Sequence, residues 1–429
     1  MGHCLLIISL LIGLSFSAAF AQPASFVSVK DHQLILNDKP YYFVGTNYWY
    51  GSLIGLEKDR RRGIERLRKE LDFLKKNGIT NLRLLGAAEG KGPLNGIERV
   101  GPPLQKDLLE FDESVLDGLD VVLAEMAKRR MKAVIFLSNN WEWSGGFQQY
   151  LIWHRVIPEK WLTEKPTWDE LRDNVAKFYS CEPCMDAYTR QAALLIQRTN
   201  KITKKPYVDD PTIMTWELAN EPRPMRPSSN NNYRAWIEDT AEMIKRLDPN
   251  HLVAIGHEGR IGTESLDLFE QIHADPNIDY LTIHIWPRNW GWLEKGKMAD
   301  TFSKAMDQTT AYIEEHTAVA KKLNKPLVIE EFGLTRDNES FDISAPTTLR
   351  DQYYKKVLAY VRTNPHVAGA NFWAFAGTAR PIKGRLFWKK GDQYTGDPPM
   401  EEQGLYSVFD SDVTTWKLLR SLKKIELAK

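Results

Sequence analysis

Eight short apolar runs recur along this chain, and a longer, more polar stretch separates each from the next. They are YYFVGTNYW (41–49), NLRLLG (81–86), KAVIFLSNNW (132–141), IMTWELANE (213–221), LVAIGHEG (252–259), YLTIHIWP (280–287), PLVIEEFG (326–333) and GANFWAFAG (369–377). Each is apolar at nearly every position, the pattern of a strand buried on both faces. The stretches between them are helical in period. Ile64, Leu67, Leu71 and Leu74 recur at i, i+3, i+4 spacing, and Gly78 stands where a helix C-cap belongs. Leu116, Leu119, Val122 and Leu123 form a second stripe; Tyr312 with Val319, and Tyr354 with Val357 and Leu358, mark others. Strand-then-helix units repeated in this way predict an α/β fold, a single-domain (β/α)8 TIM barrel. No Gly-rich phosphate loop follows the first run, which argues against an open dinucleotide-binding sheet.

A length of 429 residues suits such a barrel with insertions, and no linker, repeat or small module interrupts residues 22–429. Residues 1–21 read as a leader. Leu5 to Phe16 is too short to span a bilayer, and Ala19-Phe20-Ala21 before Gln22 fits a small-x-small cleavage site. The start lacks Lys and Arg, so an uncleaved anchor is the alternative; Cys4 precedes the apolar run, misplaced for a lipid-modified cysteine. The expectation is a secreted or periplasmic protein, monomeric, with no stable membrane insertion after cleavage. A formal net charge of +1 offers nothing to nucleic acid or an anionic membrane. In an oxidising compartment Cys181 and Cys184 could pair or stay as thiols. One C-x-x-C supplies only two zinc ligands, so neither a metal nor another cofactor is expected.

In a barrel the C-terminal ends of the strands converge on one rim, where active sites lie. Here those ends carry Asn47, Trp49, Arg83, Asn140, Trp141, Asn220, Glu221, His257, Glu258, His284, Trp286, Glu331 and Trp373. A single polar strand end is commonly a loop cap. A ring of Arg, Asn, His, Glu and Trp from separate strands is hard to explain by capping. The 14 tryptophans fit core filling and sugar stacking alike.

Two segments offer carboxylates. In WELANEPRP (216–224), strand rise puts Glu217 about 13 Å behind Glu221, inside the barrel, with Glu221 at its mouth. Pro222 disfavours a helical Glu221 and predicts an extended strand to the tip. At Glu330-Glu331 adjacent residues should face opposite ways, so only one should reach the cleft; apolar neighbours on both faces leave periodicity unable to choose between them.

The motifs GTNYWYG, NLRLLG, LSNNWEWSGG, WELANEPRP, IHIWPRNW, EEFG and NFWAFAG resemble, in order, those of family five of the retaining (β/α)8 glycoside hydrolases, and within it the β-1,4-mannanases. The resemblance spans nearly the whole mature chain. It implies Glu221 as general acid/base and Glu331 as nucleophile. It also implies Arg83 orienting the nucleophile, Asn220 binding the sugar 2-hydroxyl, His284 on the sixth strand, and Trp373 as a platform under the reacting sugar. Trp49, Asn140, Trp141 and Glu258 are further candidates for lining the substrate cleft. Trp286 departs from the pattern, because many relatives carry a tyrosine there. The implied activity is endo-β-1,4-mannanase on β-mannan or manno-oligosaccharides. An endoglucanase, an exo-acting β-mannosidase or mannobiohydrolase, and a glycan-binding protein on an inactive barrel are the rivals. Arg223 and Arg226 read as a solvated loop, and residues 380–405 as a long surface loop near the cleft.

Overall fold

The computed structural model describes residues 25–422, so the expected leader and Cys4 lie outside the described residues. Eight strands form one sheet: β1 (Phe43–Asn47), β2 (Asn81–Leu85), β3 (Lys132–Phe136), β4 (Ile213–Glu217), β5 (Leu252–Ala254), β6 (Leu281–Ile285), β7 (Leu327–Phe332) and β8 (Val367–Phe372). All their ladders are parallel, in the order β5-β4-β3-β2-β1-β8-β7-β6. The two ends of that order meet along a seam. There the Asp279 N–H donates to Val253 O at 2.9 Å and the His284 N–H to Glu258 O at 3.0 Å. The Thr282 hydroxyl bridges the backbone of His257 across the same seam. The sheet is therefore the expected barrel.

The helices that follow the strands in turn are α1 (Arg60–Lys76), α2 (Leu116–Lys128), α3 (Glu182–Ile196), α4 (Asn230–Leu247), α5 (Leu266–His273), α6 (Met298–Leu323), α7 (Thr348–Thr363) and α8 (Val413–Leu422). Helix α1 shows why the local sequence works. The Asp59 side chain accepts from the Arg62 N–H at 3.1 Å, satisfying an orphan donor of the first turn. Leu67, Leu71 and Leu74 are buried, each contributing roughly 1.5–3 kcal/mol. Gly78 then takes φ +88°, a left-handed turn that suits glycine and sends the chain into β2.

Beyond the sequence expectation, a three-stranded antiparallel sheet (Ser28–Lys30, Gln33–Leu36, Lys39–Pro40) precedes the barrel. Its Val27 and Leu34 form an apolar cluster with Phe43, Val134, Leu252 and Val328, from the beginnings of their strands, and so plug the mouth opposite the site. Cys181 and Cys184 form a disulfide, Cα–Cα 5.2 Å, at the first turn of α3. Trp236, on α4, lies in the core.

Barrel closure leaves almost no room around Gly45 in β1. An added Cβ there would stand 2.1 Å from Asn371 Oδ1 and 2.4 Å from the Asn81 carbonyl oxygen. Gly45→Ala is expected to cost about 1–3 kcal/mol through overpacking. A lower urea midpoint at unchanged m-value would show it.

Candidate active site

Arg83, on β2, is wholly buried and organises the rim beneath the cleft. Its Nε and Nη2 lie 2.9 and 2.8 Å from Glu217 Oε2. Nη1 donates to Glu331 Oε1 at 2.5 Å and to Asn47 Oδ1 at 3.2 Å, and Nη2 donates to Asn220 Oδ1 at 2.9 Å. Burial pulls the guanidinium pKa down, and the charges of Glu217, Glu330 and Glu331 more than restore it, so Arg83 stays cationic. Glu217 is thus the paired interior carboxylate that strand rise predicts.

Two local departures from regular strand geometry build the reacting pair. Along β7, Ile283 is opposite Ile329 while His284 is opposite Glu331, so Glu330 is an extra residue in that ladder. On the other side the register also shifts between Ile329 and Phe332. This β-bulge re-aims the chain, and Glu330 and Glu331 both point inward. The alternation expected from sequence fails here for that reason. Glu221 departs too: β4 ends at Glu217, and Glu221 takes φ +50° rather than an extended tip. A left-handed non-glycine residue costs about 1–3 kcal/mol. Its N–H donates to Gly256 O at 2.8 Å, and its side chain is held on both oxygens. Trp141 Nε1 donates to Oε2 at 2.5 Å, and His284 Nδ1 lies 2.6 Å from Oε1.

One nitrogen of His284 and one oxygen each of Glu221 and Glu331 all lie within 4.8 Å of one another. Each carboxyl also has a partner outside the trio: Arg83 donates to Glu331 and Trp141 to Glu221. Burial pushes Glu221 up from the usual carboxyl range, with Arg223, Trp141 and Arg83 pulling the other way. Burial and then the Glu221 charge push Glu331 up, against Arg83. Two acids this close titrate as a pair. The direct contact with Arg83 puts the negative charge on Glu331 and the proton on Glu221. Burial also drives His284 far below its usual range, so its imidazole is neutral.

The walls combine expected and unexpected residues. Trp286 packs edge-on against Trp373 at 5.7 Å and Tyr406 at 5.0 Å. Its indole lies near Glu221 and favours that carboxyl's ionised form. Asn140 is buried beside the acid/base segment, its Oδ1 accepting from the Arg223 N–H at 3.4 Å. Glu258 is occupied by a two-point ion pair with Arg223. Arg223 is a half-buried wall residue 4.9 Å over the Trp141 ring and paired with Glu258, not a solvated loop residue; Arg226 pairs with Asp169 and Asp173 nearer the surface. Trp49 does not face the cleft: it is 0% exposed, covered by Trp143 and Tyr394, with Nε1 donating to Gly396 O at 2.9 Å. Trp290 and Trp292 pack on Tyr312.

That cover comes from residues 380–405, which form a wall of the site and not simply a surface loop. Asp397 anchors it, accepting from the backbone N–H groups of Gly404 and Tyr406 at 2.8 Å each. The wall brings in Glu401, which sequence reasoning missed because nothing periodic surrounds it. Its Oε2 is buried without a hydrogen-bond partner, and its charge is felt at both Glu331 and Glu221.

Residues 24–429 match the GH family 5 beta-mannosidase-like family. The chain belongs to that family. It is therefore a glycoside hydrolase, and its relatives divide between two descriptions. Mannan endo-1,4-beta-mannosidase 7 of Arabidopsis thaliana is 29% identical over 362 residues, 81% of this chain and 77% of the relative. Mannan endo-1,4-beta-mannosidase 4 of Solanum lycopersicum is 26% identical over 406 residues, 91% of this chain and 90% of the relative. Among solved structures, a glycoside hydrolase family 5 mannosidase from Rhizomucor miehei superposes with TM-score 0.83 at 31% identity, covering 93% of this chain and 97% of that one. An endo-1,4-beta-mannanase of the same organism shares the fold, with TM-score 0.65 at 23% identity over 94% of this chain and 100% of that one.

If the Glu331 charge helps to hold the proton on Glu221, removing it must release that proton more readily. Glu331→Gln is expected to lower the Glu221 pKa, read by carboxyl 13C titration; an unchanged or raised value would show that the Glu331 charge does not hold that proton.

Proposed function

We propose that this enzyme hydrolyses β-1,4-mannosidic bonds with retention of configuration. The observation that carries this reading is the closeness of the carboxyls, with oxygens of Glu221 and Glu331 within 4.8 Å. Retaining enzymes hold the pair about 5–5.5 Å apart, whereas inverting enzymes need about 6.5–9.5 Å to admit a water. In the first step Glu331 attacks the anomeric carbon while Glu221 gives its proton to the leaving oxygen. Forming the glycosyl ester removes the charge of Glu331, so the pKa of Glu221 falls. Glu221 then acts as base on the incoming water. Asn220, fixed by Arg83 and by Asn139 Oδ1 at 3.1 Å, is suited to a sugar hydroxyl, and Trp373 to the face of the reacting ring.

β-Mannan as substrate follows from the relatives, which are mannan endo-1,4-beta-mannosidases. Internal cleavage is their named mode, and it is the first reading for this chain. A specific observation favours a second, removal of mannose from a chain end. The wall of residues 380–405 places the unpartnered Glu401 beside the reacting pair, where it can accept from the hydroxyls of a terminal sugar. The high superposition with a family 5 mannosidase supports the same mode, and another structure of that enzyme is a complex with mannosyl-fructose. Export from the cell follows from the leader reading of residues 1–21.

Three measurements test these statements. Glu331→Ala is expected to abolish mannan and manno-oligosaccharide hydrolysis with the circular dichroism of the wild type; an active, folded variant would remove the assignment. Early products from mannopentaose separate the modes: mixed oligosaccharides mean internal cleavage, and mannose with mannotetraose alone means end-on release. Carboxymethyl cellulose cleaved faster than linear mannan would overturn the substrate.

A further inference from the structure

Behind the reacting pair lie buried polar atoms that the mechanism leaves unused. Glu330 is 0% exposed, as are Glu217 and His284. Neither Glu330 oxygen has a hydrogen-bond partner among the described residues, and the same holds for Glu217 Oε1 and His284 Nε2. The four atoms form one neighbourhood. Glu330 Oε2 lies 3.6 Å from His284 Nε2, and the Glu330 carboxyl faces that of Glu217.

Arg83 cannot serve Glu330. Its N–H groups are taken by Glu217, Glu331, Asn47 and Asn220, and the closest approach to Glu330 Oε2 is 3.8 Å, from Nε. An ionised carboxylate without a donor at zero exposure is costly, while buried polar groups in folded proteins are satisfied. Proton positions decide the matter. If Glu330 donated to His284 Nε2, its other oxygen would face Glu217 Oε1, acceptor against acceptor. If instead Glu330 donates toward Glu217 and turns its other oxygen to the His284 Nε2–H, 3.6 Å away, no acceptor is set against an acceptor. Imidazole is neutral here, so a proton on Nε2 leaves Nδ1 as an acceptor. Nδ1 is the atom 2.6 Å from Glu221 Oε1.

We propose that Glu330 is a positioning residue: a protonated acid that fixes His284 in its Nε2–H tautomer, so that Nδ1 accepts the O–H of Glu221 and favours the protonated form of the general acid. The chain runs Glu221 O–H to Nδ1, Nε2–H to Glu330, Glu330 O–H to Glu217, and Glu217 to Arg83. Burial and the Glu217 charge both push Glu330 far above the usual carboxyl range, in keeping with a neutral acid. The groups around Glu330 are Arg83 from β2, Glu217 from β4, Tyr280 and His284 at β6, and Glu331 on its own strand. Around Glu221 are Arg83, Arg223, Trp141, Trp286, His284, Glu258, Glu331 and Glu401.

This inference rests on Glu221 being the acid, and its test separates the two. The amide introduced by Glu330→Gln keeps an acceptor and a donor in place of a neutral acid. That variant should therefore hold kcat within about threefold and leave the alkaline limb of kcat/KM in place. Glu330→Leu offers neither, so His284 is free to carry its proton on Nδ1 and stabilise ionised Glu221. The alkaline limb should then move down by about half a pH unit or more. A limb lowered in both variants would mean that Glu330 is an ionised counter-charge, and would overturn the proposal. An unmoved limb in folded Glu330→Leu would overturn the coupling. The 15N shifts of His284 in the unliganded wild type give a readout independent of activity and of variant folding. A protonated Nε2 supports the proposal; a protonated Nδ1 refutes it. Loss of the acid assignment would instead appear as hydrolysis that survives Glu221→Ala, whatever the tautomer.

Discussion

A single guanidinium, that of Arg83, is the interaction on which the site depends. It is 0% exposed in the barrel interior, and each of its donors meets an oxygen from the protein. Those oxygens come from β1, β4 with its extension, and β7, so satisfying Arg83 also fixes the mutual placement of Glu217, Asn220 and Glu331. Removing one partner of such a buried cluster strands a charge, commonly at a cost of about 3–5 kcal/mol. The same contacts that orient Glu331 therefore also hold strands together.

The barrel was legible because its signal is redundant. Eight apolar runs and the helical stripes between them point to the same answer, and no single run decides it. Glu217 and Glu221 were separable by position, Glu217 within the strand and Glu221 beyond its end. What could not be read were the breaks in regularity. The bulge that turns both Glu330 and Glu331 inward arises from register between three strands, and the left-handed turn at Glu221 from its contact with Gly256. Neither leaves a mark in local composition. Trp49 misled for a related reason: its strand-end position suggested the cleft, but a segment more than three hundred residues away in sequence lies over it.

That segment, residues 380–405, shows how specificity can change while the chemistry stays put. Glu221, Glu331 and Arg83 belong to the barrel strands and their immediate extensions. The wall with Glu401 belongs to a connection after β8, held by its own internal hydrogen bonds through Asp397 and Gln403. Because it carries its own supports, it can differ among relatives without disturbing the reacting pair.

The seam between β5 and β6 gives the barrel an uneven mechanical profile. Every other neighbouring pair is joined by a ladder, whereas this one relies on isolated backbone bonds and the Thr282 hydroxyl. One of those bonds joins the amide of His284 to the carbonyl of Glu258, so the least reinforced line of the cylinder runs beside the acid. Slow breathing of the barrel should begin there, with the Asp279 and His284 amides exchanging with solvent before those of β1 or β2. A family that gains stability by reinforcing this line would stiffen its acid/base at the same stroke, which links thermal resistance to proton transfer without any change in the catalytic residues.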